Sequence, residues 1–325
     1  MQYAKNITES IGSTPLIKLN KLVEGIVATV LVKLEYVNPG GSIKDRMALN
    51  AINDAEKSGR LKKGNTIIEC TGSGNTGIGL AMIAAVRGYK TIFTMPDKNS
   101  AEKINLLKAY GAQVVICPTA VAPEDPRSYY KVAEKLAQET PHSFFVQQYS
   151  NPSNPNAHYL STGPEIWEQT EGSIDYFVAG MGTGGTISGT GKYLKEQKKE
   201  VKTIGVDPIG SLYYDYYHTK KTVDAAKTYL IEGIGEDFIP GTINFSYIDD
   251  VVRVTDKEAY QMARRLAREE GILVGSSSAA AVVGALHVAK RLSEDTIMVV
   301  LLPDSGRNYL SKIFNDEWMK EKNLL

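Results

Sequence analysis

The sequence predicts an α/β protein built as two domains with parallel-rich twisted sheets and a cleft between them. Three observations carry that expectation. Short apolar runs alternate with amphipathic helical stretches along most of the chain. These units fall into two clusters. A glycine-containing turn follows a strand, or opens a helix, at three separate places. Strands alternating with helices belong to parallel sheets covered on both faces, and right-handed crossovers gather the strand C-termini on one edge, where ligands bind.

In the first cluster TIIEC at 66–70 reads as a buried strand followed by the helical TGIGLAMIAAVRG. TIFTM at 91–95 precedes AEKINLLKAYG, and QVVIC at 113–117 precedes a helix around 127–139. The second cluster holds strands near 175–181, 203–207 and 298–304, with helices over Lys257–Glu270 and Ala279–Leu292. The stretch 208–250, rich in Tyr, Gly and Pro, reads as an irregular connection near the mouth of the cleft.

With 325 residues the chain is long enough for a sizeable core. Lys plus Arg and Asp plus Glu both number 37, so there is no broad attraction for nucleic acid or an anionic membrane surface, and an anionic ligand needs a local site. The N-terminal MQYAKNITESIGSTPLIKLN lacks the apolar core of a signal peptide, and no apolar run reaches membrane-spanning length. Cys70 and Cys117 have neither CxxC spacing nor His partners, which suits buried thiols in a reducing cytoplasm and leaves no metal site expected.

The three turns are Pro39–Arg46 (PGGSIKDR), Thr71–Gly77 (TGSGNTG) and Gly182–Thr186 (GTGGT). Glycine lets backbone approach a ligand, and the free N–H groups of a helix's first turn favour an anion by roughly 0.3–1 kcal/mol. Gly182, Thr183, Gly184, Gly185 and Thr186 make the best phosphate cradle, with two hydroxyls besides the amides. It is neither a Rossmann fingerprint, because Ile187 stands where the third glycine belongs, nor a P-loop, because Tyr193 follows Gly191-Lys192. Alone, that turn serves equally as a plain strand-to-helix connection. Lys44, just inside a helix start and near Arg46, is expected to be pushed toward the neutral amine that condenses with an aldehyde.

In this order the three motifs resemble the fold type II (tryptophan synthase β-like) pyridoxal-phosphate enzymes, within them the cysteine synthase and cystathionine β-synthase family. The resemblance runs from about Ile11 to Met319. It implies pyridoxal 5'-phosphate linked to Lys44, Asn75 bonded to the cofactor's phenolic oxygen, residues 182–186 on its phosphate and Ser277 facing the pyridine nitrogen. A serine there makes the ring a weaker electron sink than a carboxylate does, which suits β-elimination and β-replacement through an aminoacrylate. The resemblance further implies a larger cofactor-binding domain of 1–40 plus 151–325, a smaller mobile substrate-side domain of 41–150, and a homodimer. The substrate carboxylate falls to Thr71, Ser73, Gly74, Asn75, Thr76 and Gln148, with Tyr149 near the second amino acid.

Within that family, Glu232–Pro240 (EGIGEDFIP), Gln148–Pro155 and Leu302–Tyr309 lean toward the enzymes that join L-serine to L-homocysteine as L-cystathionine, with hydrogen sulfide-forming side reactions from cysteine. The alternative is cysteine synthesis from O-acetylserine and sulfide. An alternative of another class is a non-catalytic binding or regulatory protein, which has no need of a neutral lysine. Hydroxide leaves poorly, so Glu232 is the expected acid at the leaving group, against a loop-pairing role for the same residue. Two departures stand out: the extra Gly72 between Thr71 and Ser73, and Ala279 where glycine is usual. No N-terminal Cys/His pair for haem is seen, so no haem is expected. No pair of regulatory domains follows Lys322-Asn323-Leu324-Leu325, as fits either a whole protein or part of a longer one.

Overall fold

The computed structural model describes residues 1, 3–222 and 227–325. In chain order the elements are β1 (Leu16–Lys18), β2 (Thr29–Leu34), α1 (Lys44–Lys57), β3 (Thr66–Cys70), α2 (Asn75–Arg87), β4 (Lys90–Pro96), α3 (Ala101–Ala109) and β5 (Gln113–Cys117). They continue with α4 (Tyr129–Glu139), β6 (Ser143–Phe145), α5 (Ser153–Ala157), α6 (Gly163–Gln169), β7 (Tyr176–Gly180), α7 (Gly185–Gln197) and β8 (Lys202–Pro208). The last are α8 (Tyr213–Thr219), β9 (Asp250–Val254), α9 (Asp256–Arg265), α10 (Ser276–Ala289), β10 (Ile297–Leu302) and α11 (Asp316–Glu321).

Two sheets result. One has the order β5-β4-β3-β6 and is wholly parallel. The other has the order β1-β2-β10-β7-β8-β9 and is parallel except for the β1–β2 pair. Every residue of β3 is buried, as befits a strand covered on both faces. Helix α10 is apolar nearly all round because it lies inside, packed on α9 and the larger sheet. No helix among the described residues is long and apolar enough to cross a membrane.

The structure adds β1, β2, β6 and β9 to the expected strands. Lys33 hides β2: it interrupts the apolar run, yet it is fully buried, donating to Thr14 O (2.7 Å), Glu165 Oε2 (2.9 Å) and Gln169 Oε1 (2.8 Å). The expected helix 257–270 is α9, opened by a capping box of Thr255 and Glu258 and closed by a π-helical turn over Leu266–Glu270. The expected helix 279–292 starts three residues earlier, at Ser276, so that all three serines lie in its buried first turn and Ala279 is accommodated inside it. The connection 208–250 is less irregular than expected, since it holds α8 and the start of β9. Its residues 223–226 lie outside the described residues.

Helix α1 is bolted to the larger sheet. Arg46 donates to both oxygens of Glu35 (2.8 Å each) and both of Glu165 (2.7 Å each), while Ile43 N donates to Pro303 O (2.9 Å) just past β10. The C-terminal ends of β3, β4 and β7, drawn from both sheets, lead into loops that wall one cleft.

Candidate active site

A cleft of about 590 Å³ is walled by Lys44, Gly72, Ser73, Thr76, Gln148 and Tyr149 on one side, and by Gly182, Thr183 and the loop Ile231–Asp237 on the other. Lys44 is the first residue of α1, accessible only in part and through this cleft. Burial pushes its ammonium down from 10.5 to about 8, against the opposing pull of Glu236 and Asp304. Arg46 is not the cause that the sequence suggested: its guanidinium is fully occupied by Glu35 and Glu165. Desolvation does the work.

Of the phosphate-cradle turn, Gly182 and Thr183 line the same cleft, while Gly184, Gly185 and Thr186, like Asn75 and Ser277, lie behind its wall. Gly184 caps α7 in the left-handed region (φ +82°), and the first backbone bond of the helix is Ser188 N to Gly184 O (3.0 Å). The N–H groups ahead of it are the helix's free donors. Close approach is built in: a Cβ on Gly184 would meet Ile243 at 2.4 Å and one on Gly185 would meet Asn154 Oδ1 at 2.0 Å. Asn154 Nδ2 donates to Thr183 Oγ1 (2.9 Å), which leaves the Thr183 hydroxyl hydrogen for a ligand, and Thr242 donates to the Thr183 carbonyl. Thr186 Oγ1 lies 3.2 Å from Nε2 of His158, whose ring is kept neutral by burial first and by Lys44 and Arg46 second.

Asn75 opens α2 and donates through Nδ2 to Asp304 Oδ2 (2.9 Å), which also accepts from Tyr309 Oη (2.7 Å). That fixes the amide and leaves its second hydrogen free. Ser277 is buried in the first turn of α10 and makes no side-chain hydrogen bond among the described residues; Gly233 lies between it and Ser73. A neutral-leaning amine, a hydroxyl-lined helix start for a phosphate, and two uncommitted polar side chains together fit a phosphorylated aldehyde such as pyridoxal phosphate.

The proposed carboxylate donors divide. Thr76 Oγ1 donates to Gln148 Oε1 (2.7 Å), and Gln148 Nε2 donates to Cys70 O (2.6 Å), so both are held in place at the cleft wall. Ser73 faces the cleft, and Gly74 (φ +85°) caps α2. Thr71 does not face it: fully buried, it turns toward Gly77 inside α2, and its hydroxyl finds no partner among the described residues. The extra residue Gly72 takes the place at the cleft wall instead.

Glu232, expected as the acid at the leaving group or in a loop-pairing role, is engaged by two lysines. Lys103 Nζ bonds one carboxylate oxygen and Lys312 Nζ the other, both at 2.6 Å. Burial would raise its pKa, but the two ammonium groups win and hold it below the usual carboxylate range. Sequence reasoning missed Lys103, Lys312 and Asp304 because their partners lie 80 to 229 residues away. It also missed Glu236, four residues beyond Glu232 and facing the cleft with its pKa raised to about 8, by burial and then by Asp237.

Comparison with known proteins agrees with this geometry. The profile of the family described as "Pyridoxal-phosphate dependent enzyme" matches residues 7–304. The cystathionine beta-synthase of Apis mellifera is 50% identical over 322 residues, covering 98% of this chain and 63% of that protein. The chain thus spans less than two thirds of the length of that protein and of the Dictyostelium discoideum cystathionine beta-synthase. A cysteine synthase of Staphylococcus aureus (strain N315) is 46% identical over 308 residues, 94% of this chain and 95% of that one. Among solved structures, the O-acetylserine dependent cystathionine beta-synthase from Helicobacter pylori superposes with a TM-score of 0.88 at 39% identity, over 96% of this chain and 99% of that one.

Proposed function

The chain belongs to the pyridoxal-phosphate dependent enzyme family, and from that premise we propose that it catalyses β-replacement on L-serine with L-homocysteine to give L-cystathionine. Hydrogen sulfide release from cysteine is proposed as a side reaction. The observation that carries the reading is the placement of Lys44, largely stripped of solvent, in one cleft with the helix start at Gly182–Thr183 and the fixed pair Thr76–Gln148.

Pyridoxal phosphate, when bound, supplies an aldehyde for an amine and a ring that draws electrons from the substrate's Cα. In this proposal residues 182–186 hold its phosphate, Asn75 and Ser277 its ring. Lys44 would be the amine that holds its aldehyde and the base placed to take the substrate's Cα proton. Thr76, Ser73, Gln148 and the backbone around Gly72–Gly74 hold the substrate carboxylate, and Tyr149 lies toward the second amino acid. The aromatic wall of Tyr130, Tyr149 and Phe238, with ring centroids 5.2–5.6 Å apart, keeps water from the reacting carbons.

A second reading, cysteine synthesis from O-acetylserine and sulfide, is supported by the Staphylococcus aureus relative, matched over nearly its whole length. A homodimer and a cytoplasmic location belong to the same proposal. One substrate panel tests it: serine or O-acetylserine, each with homocysteine or sulfide, product identified by mass. Cystathionine from serine is expected. Turnover confined to O-acetylserine plus sulfide would move the assignment to cysteine synthesis.

A further inference from the structure

We propose that Glu236, seated among tyrosine hydroxyls that the glycine at position 72 makes room for, gives the proton to the hydroxyl leaving serine and takes the proton from the incoming thiol. This rests on the β-replacement reading above and names its acid–base group.

The backbone of Glu236 is pinned from behind. Its N–H donates to Ser211 Oγ (3.1 Å) and its carbonyl accepts from Leu212 N (3.1 Å), so the side chain is committed to the cleft that Lys44 and Ser73 also wall. Tyr130 Oη donates to Glu236 Oε2 (3.3 Å) from α4, across the cleft. The hydroxyls of Tyr129 and Tyr149 lie 3.4 Å apart beside it, and the Tyr129 and Tyr130 rings are 3.9 Å apart by centroids. Position 72 touches this cluster. A Cβ there would come within 3.1 Å of the Tyr129 hydroxyl and 3.6 Å of that of Tyr149. The extra glycine therefore lets the substrate loop and the hydroxyl cluster share one wall.

Glu236 is mostly protonated below about pH 8, because burial and the neighbouring Asp237 outweigh the bonds from Tyr149 and Tyr130 and the charge of Lys98. Lys44 of α1 also faces it, as do Cys70 at the end of β3, Tyr213 of α8 and Tyr229. Burial is what pushes Lys44 toward its neutral form, and the pull of Glu236 against it weakens wherever that carboxyl is protonated. Glu232, with both oxygens paired, cannot compete.

The proton balance closes over one turnover. Lys44 takes the Cα proton, and the electron pair of that C–H bond forms the Cα–Cβ double bond. The C–O bond breaks with its pair on oxygen, and Glu236 protonates that oxygen, so water leaves and a carboxylate remains. The homocysteine thiol then gives its proton to Glu236 while sulfur bonds Cβ, and Lys44 returns its proton to Cα. Serine and homocysteine become cystathionine and water.

The test is Glu236→Gln as holoenzyme across the four substrate pairs, with infrared difference titration of the carboxyl stretch as the readout independent of turnover. Acetate leaves without a proton, and sulfide is largely ionised at neutral pH. Serine plus homocysteine should therefore fall about 10²–10³-fold and O-acetylserine plus sulfide less than about tenfold. A protonated-carboxyl band titrating near pH 8 should be present in the parent enzyme and absent from the variant. Gly72→Ala, which crowds Tyr129, should displace that titration without removing the band. Equal losses on all four pairs, or a band that persists in Glu236→Gln, overturn the proposal. A parent enzyme inactive on every pair overturns the β-replacement reading itself, while the band still reports whether Glu236 holds a proton.

Discussion

Replacing Glu232 by Gln separates a structural carboxylate from a catalytic one. Glu232 joins Lys103 of α3 to Lys312, in the turn that follows β10, and so clamps α3 to the C-terminal segment of the chain beside the cleft. The Lys103 side chain is fully buried, whereas that of Lys312 is 19% exposed. Removing one partner of a buried ion pair costs about 3–5 kcal/mol, chiefly for the charge left behind. Lys103 keeps the Tyr309 hydroxyl at 3.1 Å and its ring at 4.3 Å, and the Gln amide oxygen still accepts one bond, so the lower end, about 3 kcal/mol, is expected. Against a typical total of about 5–15 kcal/mol that is a large loss. Urea unfolding should show a clearly lower midpoint, and kcat/KM should fall by similar factors with serine and with O-acetylserine. An unchanged midpoint with a loss confined to serine would refute the clamp and restore Glu232 as the acid.

Lys44→Ala should abolish turnover and the visible absorbance that borohydride fixes to residue 44 in the parent protein, as absorbance and peptide mass spectrometry would show. Gly185→Ala should weaken cofactor retention about tenfold or more: its Cβ meets Asn154 Oδ1 at 2.0 Å, so the buried bond from Asn154 to Thr183 must break, measurable as cofactor lost on dialysis. Asp207 is pushed from 3.8 to about 7, chiefly by burial, and one of its oxygens has no partner. Its folded pKa lies above its unfolded one, so the stability it contributes is complete below about pH 4 and is lost as pH rises toward 7. Asp207→Asn should flatten unfolding midpoint against pH over that window. A homodimer predicts twice the chain mass by light scattering at micromolar concentration.

Much of the site was legible because it is carried by short-range chemistry. A lysine opening a helix, a glycine pair at a helix start, and strands spaced by helices are all local patterns, and Lys44 and Thr183 line one cleft with Gln148, a residue that only the family resemblance suggested. The departures are local too. Gly72 was visible as an insertion, but only the fold shows that it turns Thr71 away into α2 and opens space for the tyrosines.

The sequence by itself determined the α/β class and the parallel strands, since period and turn chemistry are properties of neighbours along the chain, and the order of its three motifs pointed, through family resemblance, to the cofactor type. Tertiary structure alone decided the charge state of each carboxyl. Glu232 and Glu236 sit four residues apart in one loop, and nothing in that spacing ranks them. Two ammonium groups from distant segments keep the first ionised. Desolvation and the neighbouring Asp237, opposed by tyrosine hydroxyls and Lys98, raise the second to about 8. A pKa is set by solvent exclusion and by charges gathered from the whole fold, and neither is written in the residues on either side.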